Sequence, residues 1–128
     1  MADNQSQEET VEVRTFLSRG SFMRCKLRTD EVQVSELGGW VKIREISLAD
    51  FDAIESHVAS LNESGGQLQF RARVIIAGVI DQNGDPLFRD SDVELVSNLS
   101  SKLANKIVNA ITGLSLISTG AVEEEIKN

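Results

Sequence analysis

The sequence predicts an α+β fold that is mostly helical, with an N-terminal β-hairpin followed by three to four helices in one small domain. Two patterns of apolar residues predict it. Apolar residues alternate with polar ones between Val32 and Ile43, and from Leu48 onward they recur every three or four residues. The first period is that of half-buried strands, and the second is that of helices with one buried face. A chain of 128 residues has room for one core and little room for two.

The hairpin is predicted from two alternating segments, 32–34 and 41–44, separated by the sequence SELGG at 35–39. Glycine adopts the positive φ that tight turns require, so the turn is predicted at 37–39. The alternation places Lys42 and Arg44 on the side of the hairpin that faces solvent.

The first helix is predicted to begin after Ser47, whose hydroxyl suits an N-cap, and Asp50 suits the positive end of the helix dipole. The segment NESGG at 62–66 is predicted to end it. Its expected apolar face has the three-four spacing and consists of Leu48, Phe51, Ile54, Val58 and Leu61.

Residues 67–80 fit two structures. Leu68, Phe70 and Val74 share the alternation of a strand, and the density of valine and isoleucine also favours a strand. The length of the segment is normal for a helix and long for a strand. Because the segment lies between two predicted helices, we favour a helix.

One long helix is predicted after Pro86. Ser91 and Glu94 form the S-x-x-E pattern of a capping box, and apolar residues keep the helical spacing as far as Leu114. Gly113 is predicted to mark its C-terminal end. Around this domain, placed at residues 14–118, we expect a disordered acidic lead-in at 1–13 and an acidic tail at 119–128.

Composition narrows the function classes. Cys25 is the only cysteine, which excludes an internal disulfide, and the first dozen residues lack the features of a secretory signal. No apolar run is long enough to span a bilayer. The net charge of -7 argues against a nucleic-acid binder, since neutralising phosphates needs a dense basic surface. The basic segment from Arg14 to Arg28, which contains no acidic residue, is either a solvated surface or a contact for an acidic partner.

The segment VIDQNGDPLFRDSD at 79–92 resembles a calcium loop in its spacing, because Asp81 and Asp92 fall at the first and twelfth positions. At the sixth position, however, calcium loops need glycine, and Pro86 restricts φ to about -65°. The pair Asn83-Gly84 is typical of a turn. We therefore predict a corner in which Leu87 and Phe88 fasten the connection to the core, and no metal site.

No catalytic constellation is found. His57 is the only histidine, and there is no tyrosine, so a nucleophile-base pair or a histidine-rich metal site would have few candidates. We interpret His57 as an ordinary, partly exposed helix residue, and we predict no enzymatic activity and no cofactor.

Exposed apolar side chains are the candidate functional residues. Trp40 is either a core residue or an interface anchor. Phe16, Leu17 and Phe22 lie in the basic segment and, if exposed, would form an apolar surface framed by positive charge. The predicted partner-binding residues are Phe16, Phe22, Trp40, Leu116 and Ile117.

The order of these features resembles that of the tail assembly chaperones of long-tailed bacteriophages. The hairpin pattern E-x-G-G matches that family at Glu36, Gly38 and Gly39, although Ser35 stands where proline is common. The resemblance covers about residues 31–128. The pattern D-x-x-G-x-x-L-F-x-x-x-D, which also contains Pro86 here, is matched by Asp81, Gly84, Leu87, Phe88 and Asp92.

The resemblance implies a non-enzymatic factor that binds the tape measure protein, keeps it soluble and helps to recruit tail tube subunits. It implies action in the host bacterial cytoplasm and absence from the mature virion. The net charge and the absence of a long apolar run predict no nucleic-acid and no membrane partner. A longer, frameshifted form would contact the tail tube protein. Self-association into a homo-oligomer is left open, and the alternative function is a structural tail or connector subunit that stays in the virion.

Overall fold

The computed structural model describes residues 12–61 and 66–115, and within the second range it describes side chains from residue 69. The predicted class is confirmed: a small sheet near the N-terminus is followed by helices in one domain. The predicted boundaries at 14 and 118 stay predictions. In chain order the elements are α1 Arg19–Met23, β1 Thr29–Val34, β2 Gly39–Arg44, α2 Leu48–Ser60, α3 Gly66–Gly78, β3 Val79–Ile80, α4 Val93–Ser97 and α5 Ser101–Ser115.

The predicted hairpin is present, although β1 begins earlier, at Thr29, and the turn spans 35–38 instead of the predicted 37–39. Strands β1 and β2 pair antiparallel, with Val34 opposite Gly39. The turn is a short 3-10 segment, Ser35–Leu37, closed by Gly38, which has φ of 71°. Only the first of the two glycines needs its conformational freedom, because Gly39 already belongs to β2.

A third strand follows α3 without a loop. Val79 and Ile80 pair antiparallel with Ile43 and Lys42 of β2, which gives the strand order β1-β2-β3. The prediction of a helix over 67–80 is therefore confirmed for most of the segment and wrong for its last two residues. The free edge of β2 supplies hydrogen-bonding partners that two β-branched residues readily use.

Helix α2 begins as predicted. The Oγ of Ser47 accepts a hydrogen bond from the backbone N–H of Asp50 at 3.1 Å. The helix ends at Ser60, before the predicted stop at 62–66. Its inner face buries Ile54, but Leu48, predicted to lie on that face, is 77% exposed. As the first residue of the helix, Leu48 lies at the end of the element, where core contact is least.

The single long helix predicted after Pro86 is wrong. A 3-10 turn, Asp90–Asp92, leads into α4, which stops at Ser97. The Nδ2 of Asn98 donates to the carbonyl of Glu94 at 2.9 Å, which satisfies a carbonyl at the end of α4. Helix α5 then starts afresh, because the Oγ of Ser100 accepts from the N–H of Leu103 at 3.1 Å.

The capping pair and the helix end also differ from the prediction. The Oδ2 of Asp92 accepts from the backbone N–H of Arg89 at 2.8 Å, so the cap lies two residues before the predicted Ser91. At the other end, Gly113 lies inside α5, which continues to Ser115. An exposed glycine in a helix costs stability without breaking the helix when the opposite face is buried.

The core is built around α3. Its buried residues contact α2, α4 and α5, while the inner face of the sheet adds Val34 and Ile43. Helix α5 has a single apolar face that packs against α3. The buried hydrophobic residues are Val34, Ile43, Ile46, Ile54, Ala72, Val74, Ile75, Ile76, Val79, Ile80, Val96, Leu103, Ile107, Val108 and Ile111.

Segment 81–88 forms the predicted corner. The Oδ1 of Asp81 accepts from the backbone N–H groups of Asn83 at 2.8 Å and Asp85 at 3.0 Å. Gly84 has φ of 89°, and its N–H donates to the carbonyl of Asp81 at 3.0 Å. Pro86 lies opposite Ile80 in a β-bridge. The carboxylate that a calcium ion would need thus organises the turn instead.

Leu87 and Phe88 were both predicted to pack the corner against the core, and only Phe88 does. Phe88 is partly buried against the core, whereas Leu87 is 54% exposed. The backbone holds Leu87 instead, because its N–H donates to the carbonyl of Val79 at 3.1 Å. Among residues 12–61 and 66–115, no three Asp, Glu, His or Cys side chains gather closely enough to hold a metal ion.

The junction between α3 and β3 generates the first prediction. A Cβ added at Gly78 would lie 2.6 Å from Cδ1 and 2.8 Å from Cγ2 of Ile111, whose side chain is fully buried. Gly78→Ala should therefore lower the free energy of unfolding by about 1–3 kcal/mol. Urea denaturation followed by circular dichroism would measure this change.

Gly113→Ala is the matched control, because its Cβ would meet nothing within 4 Å and Gly113 is exposed within α5. It should raise stability by up to about 1 kcal/mol. In an Ile111→Ala background the cost of Gly78→Ala should shrink, since the atoms it would strike are gone. An equal cost in both backgrounds would show that the close contact is not the cause.

The corner generates the second prediction. Asp81→Ala removes the acceptor of two backbone N–H groups and should destabilise the protein by about 1–2 kcal/mol. Asp85→Ala is the control, since it removes the same charge from an exposed side chain in the same turn. Millimolar calcium should leave the melting temperature of all three proteins unchanged, because a ligand of the folded state would raise it. A calcium-dependent rise in the parent protein would contradict the corner interpretation.

Candidate functional site

The basic segment, residues 14–28, runs along the outside of the domain. At its centre α1, which the sequence did not predict, is held by reciprocal serine caps. The N–H of Ser21 donates to the Oγ of Ser18 at 3.3 Å, and the N–H of Ser18 donates to the Oγ of Ser21 at 3.1 Å. No residue of α1 is buried. Its stability therefore depends on local hydrogen bonds more than on tertiary packing.

Arg28 attaches this segment to the domain. Its backbone N–H donates to the Oε1 of Glu45 at 2.7 Å, and its Nη2 donates to the carbonyl of Leu114 at 2.6 Å. Within the described part of the chain, the hydrogen bonds of residues 12–27 all stay inside the segment. The segment is thus tied down at Arg28 and presents the preceding residues to solvent.

Two predicted partner-binding residues lie in this segment and are exposed. Phe16 is 85% exposed and Phe22 is 71% exposed. Leu17 and Met23 are exposed as well, at 66% and 72%. Such a density of exposed apolar side chains is unusual unless a partner covers it. Binding itself stays a prediction.

Trp40 lies on the outer face of the hairpin. It pairs with Gln33, and the alternation of β2 puts it on the same face as Lys42 and Arg44, opposite buried Ile43. Its side chain is 65% exposed, so the core alternative for Trp40 is wrong. The exposure that an interface anchor needs is present.

The other predicted residues either belong to the hairpin turn or lie outside the residues that the structure describes. Leu116 and Ile117 fall beyond the described residues. Glu36 lies in the hairpin turn, where its Oε1 is 3.9 Å from the Nζ of Lys106, and both side chains are partly exposed. Leu37, next to Glu36, is 70% exposed. It was not predicted as an exposed apolar residue, because a leucine inside a predicted turn is not part of a periodic pattern.

A second surface feature, here called the arginine cleft, was also missed. It is an open cleft of about 590 Å³ between α2, α3, the end of β2 and the residues before α4. Apolar and charged side chains both line it. The apolar ones are Ile54, Ile76, Ala77 and Phe88, and the charged ones are Arg44, Arg73, Arg89, Asp50 and Asp90.

His57 positions the central arginine of the cleft. The Nη2 of Arg73 lies 3.2 Å from the Nε2 of His57. Because a guanidinium has no acceptor, Arg73 is the donor of this hydrogen bond. The Nε of Arg73 is buried, and within the described residues it has no hydrogen-bond partner. His57 remains a half-buried helix residue, as interpreted from the sequence.

None of the helices in residues 12–61 and 66–115 is long and apolar enough to cross a membrane. No protein-family model matches the sequence, and no curated protein matches it. The fold is similar to that of the solved tail assembly chaperone of bacteriophage HK97, with a TM-score of 0.60 over 89% of this chain and 95% of that chain. The two sequences are 17% identical. The chain therefore has the fold of a bacteriophage tail assembly chaperone, the fold that its sequence motifs imply.

Proposed function

We propose that this protein is a tail assembly chaperone of a long-tailed bacteriophage, which binds the tape measure protein, keeps it soluble and helps to recruit tail tube subunits. The observation that carries this proposal is the fold shared with the HK97 tail assembly chaperone over nearly the whole of both chains. The hairpin and corner motifs that resemble this family lie on the same fold. The role is non-enzymatic, and it is exercised in the host cytoplasm.

The exposed apolar side chains suit this role. A chaperone must cover apolar faces of its client and later release them, which favours weak individual contacts. Phe16, Phe22 and Trp40 are held on a domain whose core is complete without them. Several copies bound along one long client would supply the holding strength through avidity.

Client solubility tests the proposed binding surface. In co-expression with the tape measure protein of the same phage, the double variant Phe22→Glu/Trp40→Glu should leave most of the client insoluble, since charge opposes burial of either position. Soluble and pelleted client would be quantified by gel densitometry. The variant itself should keep its melting temperature, because both side chains are exposed.

Leu48→Glu is the matched control. Leu48 is also a large exposed apolar residue, but it lies at the start of α2, where a carboxylate is tolerated. This control should retain client solubility. If both variants behave like the parent protein, Phe22 and Trp40 do not bind the client.

The composition of purified virions tests the role itself. Quantitative mass spectrometry should detect no peptides of this chain in mature particles, because an assembly factor is released, while lysates of infected cells should contain them. Peptides present in many copies per virion would instead establish the alternative, a structural tail or connector subunit.

A further inference from the structure

We infer that the arginine cleft binds an acidic peptide segment whose carboxylate side chains lie next to apolar ones. This inference deepens the proposed function. That the peptide segment belongs to the client rests on the proposed function, whereas the chemistry of the segment is inferred from the cleft alone. The cleft is distinct from the exposed side chains of Phe22 and Trp40, since neither residue lines it.

The cleft gathers three arginine side chains, none of which forms an ion pair with a described residue, although Asp50 and Asp90 also line it. Arg44, Arg73 and Arg89 line it together. Within the described residues, the ion pairs are those of Arg28 with Glu45 and of Lys106 with Glu36, both elsewhere. The chain has 20 acidic residues against 13 basic ones, so acidic partners are not scarce. Unpaired guanidinium groups concentrated in one concave site favour an anion supplied from outside.

Arg73 is the residue around which this site is organised. Its position on α3 is partly buried, and its hydrogen bond to His57 holds the guanidinium in place. The Nε of Arg73 is buried and has no hydrogen-bond partner among the described residues, so one donor of this guanidinium is left unsatisfied. A carboxylate reaching the guanidinium would meet a planar, preorganised fork in surroundings where Coulomb attraction exceeds that at an open surface.

The apolar lining favours a peptide over a nucleic acid. Ile54, Ile76 and Ala77 provide aliphatic surface, which suits leucine-like side chains better than sugars and phosphates. Asp50 and Asp90 also line the cleft beside its three arginines, so the excess is a single positive charge, which suits isolated carboxylates better than a continuous phosphate backbone. An amphipathic helix with glutamates bordering its apolar face meets both requirements.

The experiment measures peptide binding to the full chain by fluorescence anisotropy. The probe is a labelled synthetic helix of about 15 residues, four turns, with leucine at the helical spacing and glutamate beside it. A second probe has glutamine in place of every glutamate. The parent protein should bind the glutamate probe at least about tenfold more tightly than the glutamine probe, because only the former offers charge-assisted hydrogen bonds.

Three variants locate the site. Arg73→Gln, and separately Arg44→Gln/Arg89→Gln, should weaken binding of the glutamate probe by about tenfold or more, the usual scale for losing a desolvated charge pair. Arg71→Gln is the matched control: it removes the same charge from α3, but Arg71 is exposed and donates to the Oδ1 of Asn105 at 3.0 Å, outside the cleft. It should bind like the parent protein. Melting temperatures report whether each variant is folded, and the double variant leaves the hydrogen bond between Arg73 and His57 in place.

Three outcomes would overturn the inference: no preference for the glutamate probe, an equal loss in Arg71→Gln, or tighter binding of a single-stranded oligonucleotide than of the glutamate probe. The client solubility assay separates this failure from failure of the proposed function. If the probes do not bind while Phe22→Glu/Trp40→Glu still loses the client, the chaperone role holds without the cleft. Loss of client solubility in Arg73→Gln, but not in Arg71→Gln, supports both.

Discussion

Burial of α3 is the constraint on which the rest of the structure depends. Ala72, Val74, Ile75 and Ile76 point in different directions around the helix, so no single neighbour could cover them. The domain solves this by packing α2, α4 and α5 around α3 and by continuing its end into the sheet as β3. Gly78 lets Ile111 of α5 approach that junction closely.

The parts of the fold predicted from the sequence are those with local physical causes. The hairpin follows from strict alternation and from the positive φ of Gly38, and the start of α2 follows from the Ser47 cap. The parts not predicted depend on distant partners or on competition between side chain and backbone. Strand β3 requires the edge of β2, and the break after α4 requires Asn98 and Ser100 to satisfy backbone groups that a continuous helix would have satisfied.

The same division applies to the candidate surfaces. Along β2, Trp40 alternates with the inward-facing residues Val41 and Ile43. A strict two-residue strand period therefore places Trp40 on the outer face, and no other sequence feature predicts this position. Phe16 and Phe22 do not belong to a periodic apolar pattern, so the sequence does not predict whether their side chains are exposed or buried. The arginine cleft had no sequence pattern at all, because its arginines come from β2, α3 and the segment before α4, which only the folded chain brings together.

The corner after β3 connects the fold to this cleft. The Asp81 carboxylate and Gly84 fold the turn, and the β-bridge at Pro86 fixes where the chain leaves it. The chain then places Phe88 against the core and Arg89 at the cleft, so the turn sets the position of one wall. In this segment, which resembles a cation site in sequence, the carboxylates of Asp81 and Asp92 thus accept hydrogen bonds from the segment's own backbone. To the cleft the segment contributes the guanidinium of Arg89 and, next to it in sequence, the carboxylate of Asp90.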